Sequence, residues 1–482
     1  MQIDEIMQRA AAAFEEYRHI TPANRAAFLE TIAAEINARR EALIAIAHTE
    51  SNLPVARLNG EITRTTSQLQ LFATVLQEGS WVEAVIDTAR PDNTPARPDI
   101  RRMLLPVGPV VVFGASNFPF AFSTAGGDTA SALAAGATVV IKGHPAHPGT
   151  SQLVFEAITA AISKSGMPAH TVQHVTGEGN AVGKELVMHP LTTGVGFTGS
   201  FQGGTALLNY AAQREVPIPV FAEMSSINPV VFYPDALATQ AAQLAQTFAA
   251  SVTLGMGQFC TNPGILIGLK SEALEDFVTQ LGTAIAAVAP QKMLHKGICE
   301  AYEKGRTRIL QEKEVALVNE STAPAELEAW PVLARTTAAA FLVNPALKEE
   351  LFGPYSLLVE CADKTELIAV LKSLHGQLTT TIVGTQADTT QWKDVIAIQS
   401  TLAGRVILNN PPTGVEVCAA MVHGGPYPAT TDARFTSVGT SAIRRWVRPV
   451  CFQNFTDDML PDALKAANPL GIWRQVDNQF VR

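Results

Sequence analysis

Cysteine is the side chain best suited to covalent attack near neutral pH, and one of the five in this chain, Cys260, stands in a stretch open to a visitor. That stretch is GMGQFCTNPG, Gly255 to Gly264, preceded by a long apolar helix pattern and closed by Asn262-Pro263-Gly264. Its glycines and turn residues predict a thiol held at a helix end where another molecule can approach. Composition argues the other way, since a lone cysteine is more often a small buried apolar residue than a catalyst. The residues that decide between these readings lie elsewhere in the chain.

They share a pattern of position. From Val107 onward strand-like and helix-like segments alternate: VGPVVVFG, GGDTASALAAG, ATVVIKG, GTSQLVFEAITAAISKSG, TVQHV, NAVGKELVMH, TGVGFTG, SFQGGTALLNYAAQ. Such alternation predicts an α/β fold, a doubly wound parallel sheet that binds ligands at the carboxyl ends of its strands. Asn117 follows the first strand, Lys142 ends the second, Ser200 follows the fourth, and Glu223 ends a further strand, PVFAEMS. Ser200 can cap the next helix and leave its first N–H groups facing a phosphate, or serve as an ordinary cap. Lys142 can meet ribose hydroxyls or a phosphate, or stay solvated. GEGNAVG, Gly177 to Gly183, has one residue too many for a dinucleotide fingerprint and reads as chance. His144 and His147 invite a metal reading, but Pro145 and Pro148 break the helix that would place them on one face, so no metal is expected.

The positioning elements follow from the remaining pattern. Residues 1–79 read as helices, with Phe28, Ile32 and Ile36 on one face and Thr21-Pro22 as a cap followed by proline. Between Trp81 and Leu105, Pro91, Pro95 and Pro98 interrupt short apolar runs, which fits exposed hairpin strands or an oligomerisation arm. A helix from about Ala238 to Leu254 leads to Cys260, and a second α/β region runs from about Ile265 to Gly439. The expected organisation is a cofactor domain over 1–87 and 107–228, a catalytic domain over 229–445, and bridging segments at 88–106 and 446–482. Cys260 then falls near a domain junction, where ligands commonly bind. A net charge of −9 without a basic run argues against nucleic acid. No window approaches the roughly 18 apolar residues of a membrane span. An acidic N-terminus without signal-peptide features points to the cytoplasm. Widely spaced cysteines without a C-x-x-C pair argue against a disulfide framework or structural zinc.

FGASNFPFAFSTAGGD, IKGHPAHPGTS, GFTGSFQGG, FAEMSSINP, GQFCTNPG and EELFGP, in this order, resemble the aldehyde dehydrogenase superfamily across nearly the whole chain. The resemblance implies a cofactor domain, a second α/β catalytic domain and a small bridging element, with a homodimer or homotetramer expected. It makes Cys260 the nucleophile, Glu223 the general base and Asn117 the oxyanion-hole amide. Lys142 would bind ribose, Ser200 and Gly204 would form the pyrophosphate turn, and Glu350 with Phe352 would hold the nicotinamide ribose and ring. The implied chemistry is attack on a small-molecule aldehyde, hydride transfer, and hydrolysis of a Cys260 thioester by water that Glu223 activates. A carboxyl with a raised pKa suits that last role. Members that pass the acyl group to coenzyme A tend to lack this base.

Departures from the common pattern carry information too. Many NAD-preferring relatives place Glu where Pro145 stands, so nothing here repels a 2′-phosphate, and Lys142 with His144 is expected to attract one. NADP preference, with NAD tolerated, follows. Ser116 replaces a bulky Trp and suggests a reshaped substrate tunnel. AEMSSINPVVF, the run Lys142 to Pro148, HGGPYPATT and RPVCFQN are similar to the branch acting on alpha-ketoglutaric semialdehyde. That implies oxidation of 2,5-dioxopentanoate to 2-oxoglutarate, with Arg434 or Arg102 holding its carboxylate. A broad oxidant of aliphatic or aromatic aldehydes is the alternative within the class. A non-catalytic member of the fold would have lost Cys260, Glu223 or Asn117, and all three are present. A cysteine hydrolase would need a histidine base, and none lies near Cys260 in sequence.

Overall fold

The computed structural model describes residues 3–177, 180–320 and 324–482, so Glu178 and Gly179 of the GEGNAVG stretch lie outside the described residues. Five parallel strands form the first sheet in the order Val172–Val175, Val139–Lys142, Val110–Phe113, Gly194–Thr198, Val220–Glu223. Val110, Val111, Val139, Val140 and Ile141 are fully buried, as a sheet covered on both faces requires. The strand earliest in sequence lies in the middle, so the chain leaves it in both directions and a crevice opens at the carboxyl ends.

One face of this sheet is covered by helices Gly127–Ala135 and Pro148–Lys164, and the N-terminal helices Pro22–Ala38 and Val55–Glu78 pack on these, their Phe28, Ile32, Ile36, Leu69 and Phe72 sharing a core with Leu133 and Ile158. Thr21 caps helix Pro22–Ala38, its hydroxyl accepting from Asn24 N–H at 3.2 Å. Helix Val55–Glu78 reaches the functional loops through Glu61. This buried carboxylate accepts the N–H groups of Phe120 at 2.8 Å and Ala121 at 3.0 Å, fixing the loop that carries Asn117.

A second sheet has the order Ala316–Leu317, Val332–Thr337, Tyr355–Cys361, Ile265–Leu269, Val230–Phe232, Gln377–Val383, Ala403–Leu408, with only the first of these strands antiparallel. A third joins Val447–Gln453, Ile100–Pro106, Val85–Asp87, Arg474–Val476 and Gln479–Val481. The expected cofactor segment ended at residue 87, but Val85–Asp87 belongs to this third sheet. The Arg90–Arg97 bridge closes a hairpin that pairs it with Ile100–Pro106, its neighbour in sequence. Among the described residues, no helix is long and apolar enough to cross a membrane.

Two features bring the sheets together. The stretch from His423 to Thr431 leaves the second region and pairs with the end of the first sheet. Met224 N–H donates to Ala429 O at 2.8 Å, and Thr431 N–H to Ala222 O at 3.1 Å. Helix Pro234–Thr253 then ends in Gly255, Met256 and Gly257 with φ of 53°, 54° and 59°. Glycine takes this left-handed region freely, while Met256 stores strain there. The turn packs so tightly that a Cβ on Gly257 would lie 2.1 Å from Gly353 O. Gly257→Ala should therefore destabilise the fold by about 2 kcal/mol or more. Thermal or denaturant unfolding checks this, and an unchanged midpoint would contradict it.

Candidate active site

The two groups expected to do chemistry arrive from different sheets. Glu223 ends a strand of the first, and Cys260 follows the left-handed turn. Asn228 anchors the cysteine loop, its side-chain amide donating to Cys260 O and Asn262 O, each at 2.9 Å. Gln377 in turn fixes the Asn228 turn, its side-chain oxygen accepting from Ile227 N–H at 2.8 Å and Asn228 N–H at 3.1 Å. The segment between base and nucleophile is thus bolted to the second sheet at both ends.

Between the two stands His423. Its Nε2 lies 3.5 Å from Cys260 Sγ and 2.9 Å from Glu223 Oε1, and its side chain is wholly buried. Ser437 Oγ donates to the other oxygen of Glu223 at 2.8 Å. One nitrogen serves both neighbours while Nδ1 has no partner, so the groups form a fork. In a hydrolase relay the acid would hold Nδ1 and leave Nε2 to the thiol. The sequence had shown no histidine near Cys260; this one comes from 163 residues further along. The signal available was HGGPYPATT itself, whose first residue it is.

Burial pushes the Cys260 thiol well up, and the Glu223 carboxylate pushes it further, so the resting group is a thiol. Burial alone would also raise Glu223, as the sequence reading expected. The His423 ring and the hydrogen bonds from His423, Ser437 and Cys260 outweigh it and hold the carboxyl below its usual range. Glu223 is thus a carboxylate across ordinary pH. Its Oε1, Cys260 Sγ and a ring nitrogen of His423 lie within 4.8 Å of one another, a spacing a divalent cation would also tolerate. The histidine pair singled out earlier is differently arranged. The His144 and His147 rings stack 5.6 Å apart, and His147 Nε2 contacts Ala115 O at 2.8 Å.

Asn117 is buried beside the nucleophile loop. Its side-chain amide donates to Gln258 O at 3.1 Å, leaving a second hydrogen available, and its backbone carbonyl accepts from Arg57 at 2.7 Å. Arg57 also sits over the rings of Phe118 and Phe259, at 5.0 and 4.7 Å, which ties the two loops together.

The cofactor positions lie along the carboxyl ends of the first sheet. Lys142 Nζ donates to Gly177 O at 2.7 Å and Gly143 O at 3.1 Å, keeping one donor free. Beside it is a cavity of about 120 Å³ whose described lining residues include Gly143, His144, Pro145, Ser151, His174, Thr176 and Gly177, none of them a carboxylate; Glu178, next to Gly177, lies outside the described residues. Ser200 caps helix Phe201–Ala212, accepting from Gly203 N–H at 3.1 Å. Gly204 is buried instead of facing the crevice. A Cβ there would meet Met224 Cγ and Sδ at 2.6 Å, so the glycine lets the helix sit on the base strand. His144 is not a cation either: burial, then His147, His295 and Lys142, lower its pKa to about 3. A capped helix end and a free ammonium donor beside this cavity together fit a dinucleotide.

Glu350 and Phe352 line a small cavity under the cysteine loop with Gly257, Phe259 and Asn262. Burial raises the Glu350 pKa to about 7 against hydrogen bonds from Ser225 and Ser226. Neither expected carboxylate anchor reaches this centre. Arg434 is 81% exposed and folds back on Asp432, two residues away and its nearest carboxylate. Arg102 is exposed on the third sheet, opposite Val85 and Cys451.

Residues 1–299 match the aldehyde dehydrogenase family, and the chain belongs to that family. It is 49% identical over 479 residues to alpha-ketoglutaric semialdehyde dehydrogenase 2 of Azospirillum brasilense. To the alpha-ketoglutaric semialdehyde dehydrogenase of Acinetobacter baylyi it is 47% identical over the same length, and both matches cover 99% of this chain and 91% of the relative. In fold it resembles a gamma-glutamyl-gamma-aminobutyraldehyde dehydrogenase from Burkholderia cenocepacia, with a TM-score of 0.77 at 21% identity over 94% of this chain and 88% of that one. A 3,6-anhydro-L-galactose dehydrogenase gives 0.78 at 20% identity, over 93% and 90%.

Glu350 offers a test of the electrostatics. The folded protein holds its proton up to about pH 7, whereas an unfolded chain releases it near 4.5, so the folded state binds more protons in between. Stability therefore falls as pH rises across that window. Glu350→Gln should flatten the fall of the wild-type melting temperature between pH 5 and 7.5, and parallel profiles would contradict the assignment.

Proposed function

We propose that this protein oxidises alpha-ketoglutaric semialdehyde, 2,5-dioxopentanoate, to 2-oxoglutarate, preferring NADP and accepting NAD. The observation that carries the reading is the cluster of the half-buried Cys260 thiol with the buried His423 ring and Glu223 carboxylate, with Asn117 tied to the same loop. Two relatives named for that aldehyde, at 49% and 47% identity, support the substrate.

The thiol is protonated at rest, so attack must move a proton. The proton passes to the Glu223 carboxylate, which is hydrogen-bonded to the thiol, and on to solvent before water arrives, while His423 Nε2, 3.5 Å from Sγ and 2.9 Å from Oε1, holds the two groups together. Sulfur adds to the aldehyde carbon and places negative charge on its oxygen. The spare hydrogen of Asn117 faces that charge, and losing such a donor costs about 3 kcal/mol of transition-state stabilisation. A nicotinamide held along the first sheet would supply the hydride acceptor, and loss of hydride from the adduct leaves Cys260 as a thioester. Glu223 then takes the proton of the attacking water, and Cys260 leaves as the acid forms. A carboxylate at this place favours water over coenzyme A as the acceptor.

The NADP preference rests on Pro145, which stands where a carboxylate would repel a 2′-phosphate, and on the nearby Lys142 ammonium as a cation to meet it. His144, being neutral, adds no charge. Five free cysteines suit the reducing cytoplasm. Exposed Met459, Trp473 and Phe480 near or on the third sheet suit burial in a homodimer or homotetramer.

Reduced-nicotinamide absorbance tests the reading. With NADP, kcat/KM for 2,5-dioxopentanoate should exceed that for pentanal at least tenfold, NAD should be the poorer cofactor, and Cys260→Ala should be inactive. Equal turnover of pentanal would favour a broad-specificity oxidant, and no absorbance change with wild type would favour a non-catalytic member.

A further inference from the structure

Two arginines near the nucleophile make no ion pair among the described residues. Arg64, on helix Val55–Glu78, donates to Val415 O, and its guanidinium lies 5.8 Å from the ring centre of Phe122. Phe122 in turn lies 6.2 Å from the ring of His423, the partner of Cys260. Arg405, on strand Ala403–Leu408, donates to Gly414 O at 2.8 Å and Pro412 O at 2.5 Å. Both guanidinium groups thus converge on one short loop, 412–415, one from an N-terminal helix and the other from the edge strand of the second sheet. Thr413 of that loop is hydrogen-bonded at 2.7 Å to Ser251, on the helix that leads to Cys260.

Each arginine is half-buried, and the Nε of each is buried without a partner. Neither forms an ion pair among the described residues, whereas Arg445, also buried, meets Asp128 at 2.7 Å and the half-buried Arg335 meets Glu360. Arg64 feels Glu61, Cys260, Glu416 and Glu223, and Arg405 feels Cys260, so both lie within electrostatic reach of the nucleophile. Leaving two cations partly desolvated with no carboxylate in hydrogen-bond contact is costly unless an anion arrives with the substrate. An aldehyde that ends in a carboxylate supplies one, and the planar guanidinium fork suits it.

We propose that Arg64 and Arg405 together hold the far carboxylate of the aldehyde substrate and so set the preference for oxo-acid over uncharged aldehydes. The inference rests on the proposed oxo-acid substrate. It also replaces Arg434, which is exposed and paired with Asp432, and Arg102, which is exposed on the third sheet. With the carboxylate held at the 412–415 loop, the aldehyde end extends past Phe122 toward Sγ. The clamp offsets the repulsion that Glu223 and an ionised Glu350 exert on an anionic substrate.

The test compares wild type with Arg64→Met and Arg405→Met, using 2,5-dioxopentanoate and pentanal with NADP. The expected result is a fall of about 100-fold in the ratio of the two kcat/KM values for each variant, carried by KM for the oxo acid. Glutarate, which has the carboxylates but no aldehyde, should inhibit wild type competitively, with its inhibition constant raised at least tenfold in both variants. A melting temperature within a few degrees of wild type checks folding, and Arg→Lys at each site supplies a milder change with partial recovery of the ratio. If the ratio and the glutarate constant stay at wild-type values, or both substrates decline in parallel, the clamp is overturned while the substrate reading stands. If wild type itself shows no preference over pentanal, the substrate reading fails and the clamp falls with it.

Discussion

A single imidazole nitrogen shared between a thiol and a carboxylate is the contact on which the rest of this site depends. Two acidic groups buried side by side would ordinarily repel each other once both lost their protons. His423 Nε2 sits against each of them, and with Ser437 it lets Glu223 remain a carboxylate in a place where burial would have protonated it. The consequence for Cys260 is the opposite: the nearby charge keeps its proton on. The resting site therefore stores one proton on sulfur and one vacancy on carboxylate. That is the distribution a thiol needs before attack, and water needs before deacylation.

Maintaining that contact explains much of the architecture around it. Glu223 comes from the first sheet, Cys260 from a turn that crosses to the second, and His423 from a loop that returns to pair beside Glu223. Each is held by buried amides and not by its own rotamer alone. Asn228 and Gln377 fix the thiol's backbone, Glu61 and Arg57 fix the Asn117 loop, and the Met224 and Thr431 backbone bonds fix the histidine loop. The strained Met256 and its flanking glycines are the local cost of turning a helix end sharply enough to reach a strand from another sheet.

How much of this the sequence disclosed depended on whether the signal was local. Thr21 and Ser200 were legible as caps because a cap bonds within its own first turn. Asn117, Lys142 and Glu223 were legible as strand-end residues because a parallel sheet gathers such ends in one crevice. His423 was not, because its contact to Cys260 depends on strand pairing between distant segments. The raised pKa expected of Glu223 followed from burial, which was foreseeable, while the hydrogen bonds that reverse it come from residues 200 and 214 positions away. Arg434 failed for a related reason: sequence gives the charge, but an adjacent Asp432 turned it outward. The positions of Arg64 and Arg405 became visible only when the 412–415 loop was seen between them.

The central claim is that Glu223 is spent on deacylation, with His423 able to receive the thiol proton in its absence. Rapid mixing of Glu223→Gln with aldehyde and NADP measures this most directly. The account predicts a burst of about one reduced nicotinamide per site, then near-arrest, with an acyl adduct on the Cys260 peptide by mass spectrometry. A variant that shows neither burst nor adduct, or one that turns over at the wild-type rate, would contradict it.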